Sequence, residues 1–164
     1  AQMYALRRPQ RVERIVCLAA SVPAGGGSPM RTMMKIFLPE ALLPTRAGAA
    51  RLIRKLSGDN AGAFLERPQV FDHFVRLLRG YNNMAMGYHK VDSFSDAQIA
   101  QLKDRALYLA GERDPFMALG GKAAIQARGM RARFYPGVGH GINHEIPGEI
   151  HARIFEFLCG QSAR

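Results

Sequence analysis

Cysteine, acidic residues and long apolar runs are all scarce in this sequence, and each scarcity excludes something. The 164 residues include two cysteines, Cys17 and Cys159, far apart and without metal-ligand spacing. That usage excludes a disulfide-built scaffold and points to a reducing, cytoplasmic setting. No apolar run approaches the ~20 residues that a membrane-spanning helix needs, and no secretory signal pattern is visible. His144-Glu145 opens as a zinc-protease motif opens, but the next histidine is His151, so His-Glu-x-x-His is not completed. Gly137-Val138-Gly139 lacks the third glycine of a dinucleotide-binding turn. No metal or cofactor is therefore expected. Asp and Glu number 13 against 23 Lys and Arg, a net charge of +10. Such a balance raises nucleic acid or an anionic surface as a partner. The arginines, however, are spread over every segment without a block, and they read as solvated helix faces. There are no internal repeats and no low-complexity tracts.

What is present is a chain that is 48% apolar, enough for the core of one domain. From Ile15 the sequence reads IVCLAA, the continuous apolar pattern of a parallel strand buried on both faces. A second such run starts at Ala106 and ends at Gly111. A third, Ala132 to Tyr135, ends in the Pro136-Gly137 turn. The second and third are separated by room for one helix. An acid, Asp114, follows the second run, and a histidine, His140, follows the third. In parallel α/β sheets the loops beyond the carboxyl ends of the strands hold the chemistry.

Each residue also has a plain structural reading. Asp114-Pro115 fits a helix start, with aspartate as N-cap and proline at the first helical position. His140, between Gly139 and Gly141, fits a turn. Acid and histidine at matching strand ends nevertheless make a candidate proton-handling pair. An acid that accepts the imidazole Nδ1–H fixes the tautomer and stabilises the imidazolium. Glu112 and Glu145 are the competing acids.

The segments LYLAGERDPF and YPGVGHGINHE, with the following EIPGEIHARIFEFL, resemble the carboxyl-terminal part of an α/β-hydrolase. The match is specific over the last ~60 residues and looser back to residue 1. The resemblance implies an α/β fold, with the last three parallel strands of the core, flanking helices and an inserted helical cap. It implies that Asp114 and His140 are the family's acid and histidine. It also implies hydrolysis of an ester or similar acyl bond of a small, mostly apolar substrate. The family nucleophile sits in Gly-x-Ser-x-Gly on a strand-to-helix turn, and that pentapeptide is absent. Gly26-Gly27-Ser28-Pro29 comes closest, but Met30 stands where the last glycine is needed. Neither Cys17 nor Cys159 is a plausible substitute. The chain thus reads as part of a hydrolase that lacks its serine, and its start at Ala1 rather than Met fits a beginning inside a longer protein. The implied partner is an amino-terminal half carrying the nucleophile. The alternative is a non-catalytic fragment that binds a partner chain or an anionic surface.

On this reading, residues 1–21 hold the end of the nucleophile helix and the sixth core strand. Residues 22–103 form the cap, and 104–164 hold the last two strands and the final helix. Within 22–103, Leu52, Ile53 and Leu56 share a face between a Thr45 cap and Gly58. Pro68 opens a helix with Val70, Phe71, Phe74, Val75 and Leu78 on one side, and Ser95 to Gln98 is a capping box. Met33, Met34, Phe37, Met84, Met86 and Tyr88 are candidates to line an apolar pocket, or else they form the cap's own core. Asn82, Asn83, His89 and Lys90 are its polar candidates. In the last helix, Ile146, Ile150, Ile154 and Leu158 are expected to face the sheet. The first strand is expected to show an open edge, through which the chain either pairs with a second copy or remains marginally stable.

Overall fold

The computed structural model describes residues 1–21, 34–38, 40, 44–80, 93–119 and 121–160. Three strands form one parallel sheet in the order β1 (Ile15–Leu18), β2 (Ala106–Gly111), β3 (Arg131–Tyr135). Ile15 stands opposite Ala106, and Gly111 opposite Tyr135. Three parallel strands with flanking helices are what the resemblance implied for the core. All six β2 residues are buried because the strand is central and both faces are covered. Ala106 and Tyr108 join a cluster with Ile15, Ile99 and Ile125 on one face. Leu107 and Leu109 join Tyr135, Ile142, Ile150 and Phe157 on the other.

The helices that supply these faces follow from local sequence. On the first face lie α1 (Gln2–Arg7), α5 (Asp96–Leu102) and α6 (Lys122–Ala127). Helix α5 starts with the expected capping box: Ser95 Oγ accepts from the Gln98 N–H, and the Gln98 side chain accepts from the Ser95 N–H. Between β1 and α5, the described residues include α2 (Arg46–Leu56), α3 (Gly62–Leu65) and α4 (Pro68–Gly80). Thr45 Oγ1 caps α2 through the Gly48 N–H at 3.0 Å. The helix stops at Leu56, two residues before Gly58 takes a left-handed φ of +54°. Leu52 and Ile53 are fully buried, while α4 buries only Val75 and leaves Leu77 exposed.

The carboxyl-terminal helix departs from the expectation in two ways. It is broken at Ile146 (φ −135°, ψ 56°) into α7 (Ile142–Glu145) and α8 (Pro147–Cys159). Leu158, expected to face the sheet, is exposed, and Phe157 is buried in its place. The cause is helical geometry. A spacing of four overshoots a turn by ~40° at each step, whereas seven residues fall within ~20° of two full turns. Phe157, seven beyond Ile150, therefore stays over the sheet. The guanidinium of Arg14 secures this end by donating to the Phe157 carbonyl.

Backbone contact, rather than side-chain packing, positions the end of β2. A Cβ on Gly111 would lie 2.0 Å from the Val138 carbonyl oxygen. Gly111→Ala is therefore expected to destabilise the chain by on the order of 3 kcal/mol, the upper part of the overpacking range. Gly148, on α8, has nothing within 4 Å of such a Cβ. Gly148→Ala is expected to be neutral or to stabilise by up to ~1 kcal/mol. Urea unfolding of the two variants checks the contrast.

Candidate active site

The β2–β3 pairing continues past both strands and delivers two side chains to one place. The Glu112 N–H donates to the Tyr135 carbonyl, and the Arg113 N–H donates to Val138, each at 2.9 Å. The next residue on one side is Asp114. Two residues beyond Val138 on the other side is His140. His140 Nδ1 and Asp114 Oδ2 lie 2.9 Å apart. A carboxylate only accepts, so Nδ1 is the donor, and in the neutral ring Nε2 is then the nitrogen that can accept a proton.

Each oxygen of Asp114 has its own task. Oδ2 takes the imidazole, and Oδ1 accepts from the Phe116 N–H at 2.8 Å. The capping reading and the pairing reading of Asp114 thus hold together, because the 3-10 turn Pro115–Leu119 starts on the same carboxylate. The Asp114 side chain has no solvent exposure, while that of His140 is 40% exposed. A buried acid behind a half-exposed imidazole orients the ring and leaves its outer nitrogen within reach of other groups. The Phe116 ring packs on the imidazole at 4.5 Å between centroids, and Phe37 packs on Phe116 at 6.1 Å.

The competing acids are otherwise engaged. Glu112 pairs with Lys122 Nζ at 2.5 Å, on the surface. Glu145 Oε2 accepts from the Gly139 N–H at 2.9 Å and from Asn60 Nδ2 at 3.3 Å. Burial pushes the Glu145 carboxyl above its usual range, and Asp114 adds repulsion. Hydrogen bonds from Gly139, Asn60 and Gly141 oppose the rise.

Of the pocket candidates, Phe37 reaches His140 through Phe116, and Met34 is exposed. Met33, Met84, Met86 and Tyr88 lie outside the described residues, as do Asn82, Asn83, His89 and Lys90. Phe116 was not singled out from sequence. Its position two residues after the acid, where an Asp side chain commonly accepts a backbone N–H, is the signal that marks it. Among the described residues, no group of three or more His, Cys, Asp or Glu could hold a metal. No helix among them is long and apolar enough to cross a membrane.

The carboxylate of Glu145 binds its proton more readily in the folded chain than in the unfolded one. Its contribution to stability therefore grows as pH falls and is lost as pH rises through its folded pKa. Relative to Glu145→Gln, wild type is expected to gain stability between about pH 7.5 and about pH 5, a span that approaches the ordinary carboxylate range. Urea titrations of both proteins at the two pH values measure the difference.

No family model matches the chain, and no curated protein matches it. Solved structures do. Carboxylesterase CesB (YbfK) from Bacillus subtilis superposes with a TM-score of 0.63 at 21% identity, over 98% of this chain and 56% of that one. Naproxen esterase (carboxylesterase NP), also from Bacillus subtilis, gives 0.70 at 18% identity, over 96% and 55%. The 2-hydroxy-6-oxo-6-phenylhexa-2,4-dienoate hydrolase of Rhodococcus sp. strain RHA1 gives 0.69 at 13% identity, over 96% and 59%. The chain has the α/β-hydrolase fold and spans little more than half the length of each of these proteins.

Proposed function

We propose that this chain supplies the acid and the histidine of a serine-type α/β-hydrolase, acting on an ester or similar acyl bond of a small, mostly apolar substrate. The observation that carries the reading is the 2.9 Å contact between a buried Asp114 and a half-exposed His140. His140 Nε2 takes the proton from a serine hydroxyl as it attacks the carbonyl carbon, then returns it to the leaving oxygen. Asp114 holds the ring in the tautomer that makes this possible. The apolar substrate class is supported by Phe116 and Phe37 beside the imidazole. Helices α2, α3 and α4 act as the cap, whereas α5, expected within it, packs on the sheet. Fold neighbours that are themselves esterases and hydrolases support the reaction class.

The serine comes from a segment that adds a strand beside β1. Among the described residues, β1 is an outer strand with one edge unpaired. Next to it is an open groove of about 360 Å³, lined by Ala1, Gln2, Met3, Val16, Cys17, Leu18, Ala20 and Phe94. A strand carrying a Gly-x-Ser-x-Gly turn would cover this edge. Backbone N–H groups of the same segment would hold the oxyanion.

The chain alone is expected not to hydrolyse p-nitrophenyl esters. Joined to, or mixed with, a polypeptide that provides the preceding strands and a Gly-x-Ser-x-Gly turn, it is expected to gain esterase activity. In that assembly His140→Ala or Asp114→Asn should lower kcat by about 10³–10⁴-fold. Activity that survives both substitutions would refute the assignment. Turnover by the chain alone that His140→Ala removes would refute the absence of a nucleophile. With the edge uncovered, the chain is expected to self-associate, so its unfolding midpoint should rise with protein concentration.

A further inference from the structure

We propose that Glu145 is a positioning residue for His140, fastening the histidine loop to the turn that follows α2. The inference rests on the assignment of His140 as the base. The histidine loop is held there at several points. Its own N–H groups donate outward at two of them: His140 N–H to the Leu56 carbonyl at 2.6 Å, and Gly139 N–H to Glu145 Oε2 at 2.9 Å. The Gly137 carbonyl accepts from the Asp59 N–H at 2.9 Å and from Asn60 Nδ2 at 3.3 Å. Asn60 Nδ2 also reaches Glu145 Oε2. A single carboxylate oxygen therefore joins the residue before the histidine to the segment between β1 and β2.

The fit leaves no slack. A Cβ on Gly139 would lie 2.0 Å from the Leu56 carbonyl oxygen, and one on Gly141 would lie 2.3 Å from Phe64 Cζ. Phe64 also packs on His144, with 5.0 Å between ring centroids. Glu145 Oε1 is buried on the side of Gly141. Burying a carboxylate is costly, and surface packing does not require it. Its evident service is to the histidine loop on either side of His140, and to Asn60. Fixing the Gly139 peptide fixes where the His140 backbone starts, and hence whether Nδ1 meets Asp114. The inserted helices and the proton-transfer pair are thereby coupled through one side chain.

The test uses NMR of the full chain with ¹⁵N-labelled histidine. Wild type should show a single His140 Nδ1-bound proton, in slow exchange, that Asp114→Asn removes. Glu145→Ala should broaden or abolish that signal and speed amide exchange at Gly139 and His140 by on the order of tenfold or more, the fold-change expected for one hydrogen bond to a charged group. Glu145→Gln keeps an oxygen for Gly139 and should restore most of the signal. Asn60→Ala should give an intermediate loss. A role confined to stability would lower the unfolding midpoint and leave the Nδ1 proton untouched, and that result would overturn the proposal. If Glu145→Ala does not fold, Asn60→Ala decides by the same criterion. If the Nδ1 proton is missing in wild type, or persists in Asp114→Asn, the pairing fails and this inference fails with it. If it depends on Asp114 but not on Glu145 or Asn60, only the positioning role fails.

Discussion

The contact between Asp114 and His140 depends on two backbones running together beyond the ends of their strands. Gly111 allows the closest approach, and the Glu112 and Arg113 N–H groups then continue donating to the β3 side. Regular pairing would have stopped at Tyr135. Because it continues, residues 26 apart in sequence meet at a fixed offset. Neither side chain has to search for the other, so little conformational entropy is lost when the pair forms. Burial of Asp114 then makes its two hydrogen bonds obligatory, since an unmet buried carboxylate oxygen costs heavily. The same carboxylate that orients the imidazole also starts the following turn through Phe116.

The parts of this arrangement that use residue types with a pattern were readable in advance. Continuous apolar runs announced β1 and β2, because a parallel strand covered on both faces has no polar positions to show. Ser95 with Gln98, and Thr45, announced helix starts through side-chain oxygens of a characteristic kind. Asp114 and His140 were marked by type, by order and by their place after strands. The contacts that hold the histidine loop were hidden because they are made largely by backbone. The Leu56 carbonyl carries no signature, and any residue at that position would present it. Asn60 and Glu145 are 85 residues apart, and nothing local ties them together. The end of the chain misled for a different reason. A repeat of four suggested Leu158 over the sheet, but the helix turns slightly faster than that repeat.

The sheet is covered on both faces but unevenly along its strands. Helices α1, α5 and α6 cover one face and α7 and α8 the other, so the central strand β2 is buried throughout, while β1 and β3 are the outer strands. Beside β1 an apolar groove runs along the edge that no other strand pairs among the described residues. Order in the candidate site is nonetheless complete, because it draws on β2, β3 and the turn after α2 rather than on that edge. The acid–histidine pair and the outer edge of β1 are therefore separate structural problems. The first is solved within this chain.

The union of the histidine loop with the turn after α2 has a bearing on how such a chain can diverge. Two of the bonds that make it, His140 to Leu56 and Asp59 to Gly137, join peptide groups only. Peptide groups are indifferent to the side chains they carry. The stretch from Leu56 to Asp59 can thus vary at the exposed Asp59, whereas Gly58 keeps its left-handed turn and Ser57 is buried. What it cannot absorb is a gain or loss of one residue, which would put every later carbonyl and amide out of step with the loop it grips. The geometry of this stretch thus fixes its length as firmly as it fixes its two constrained residues, Ser57 and Gly58.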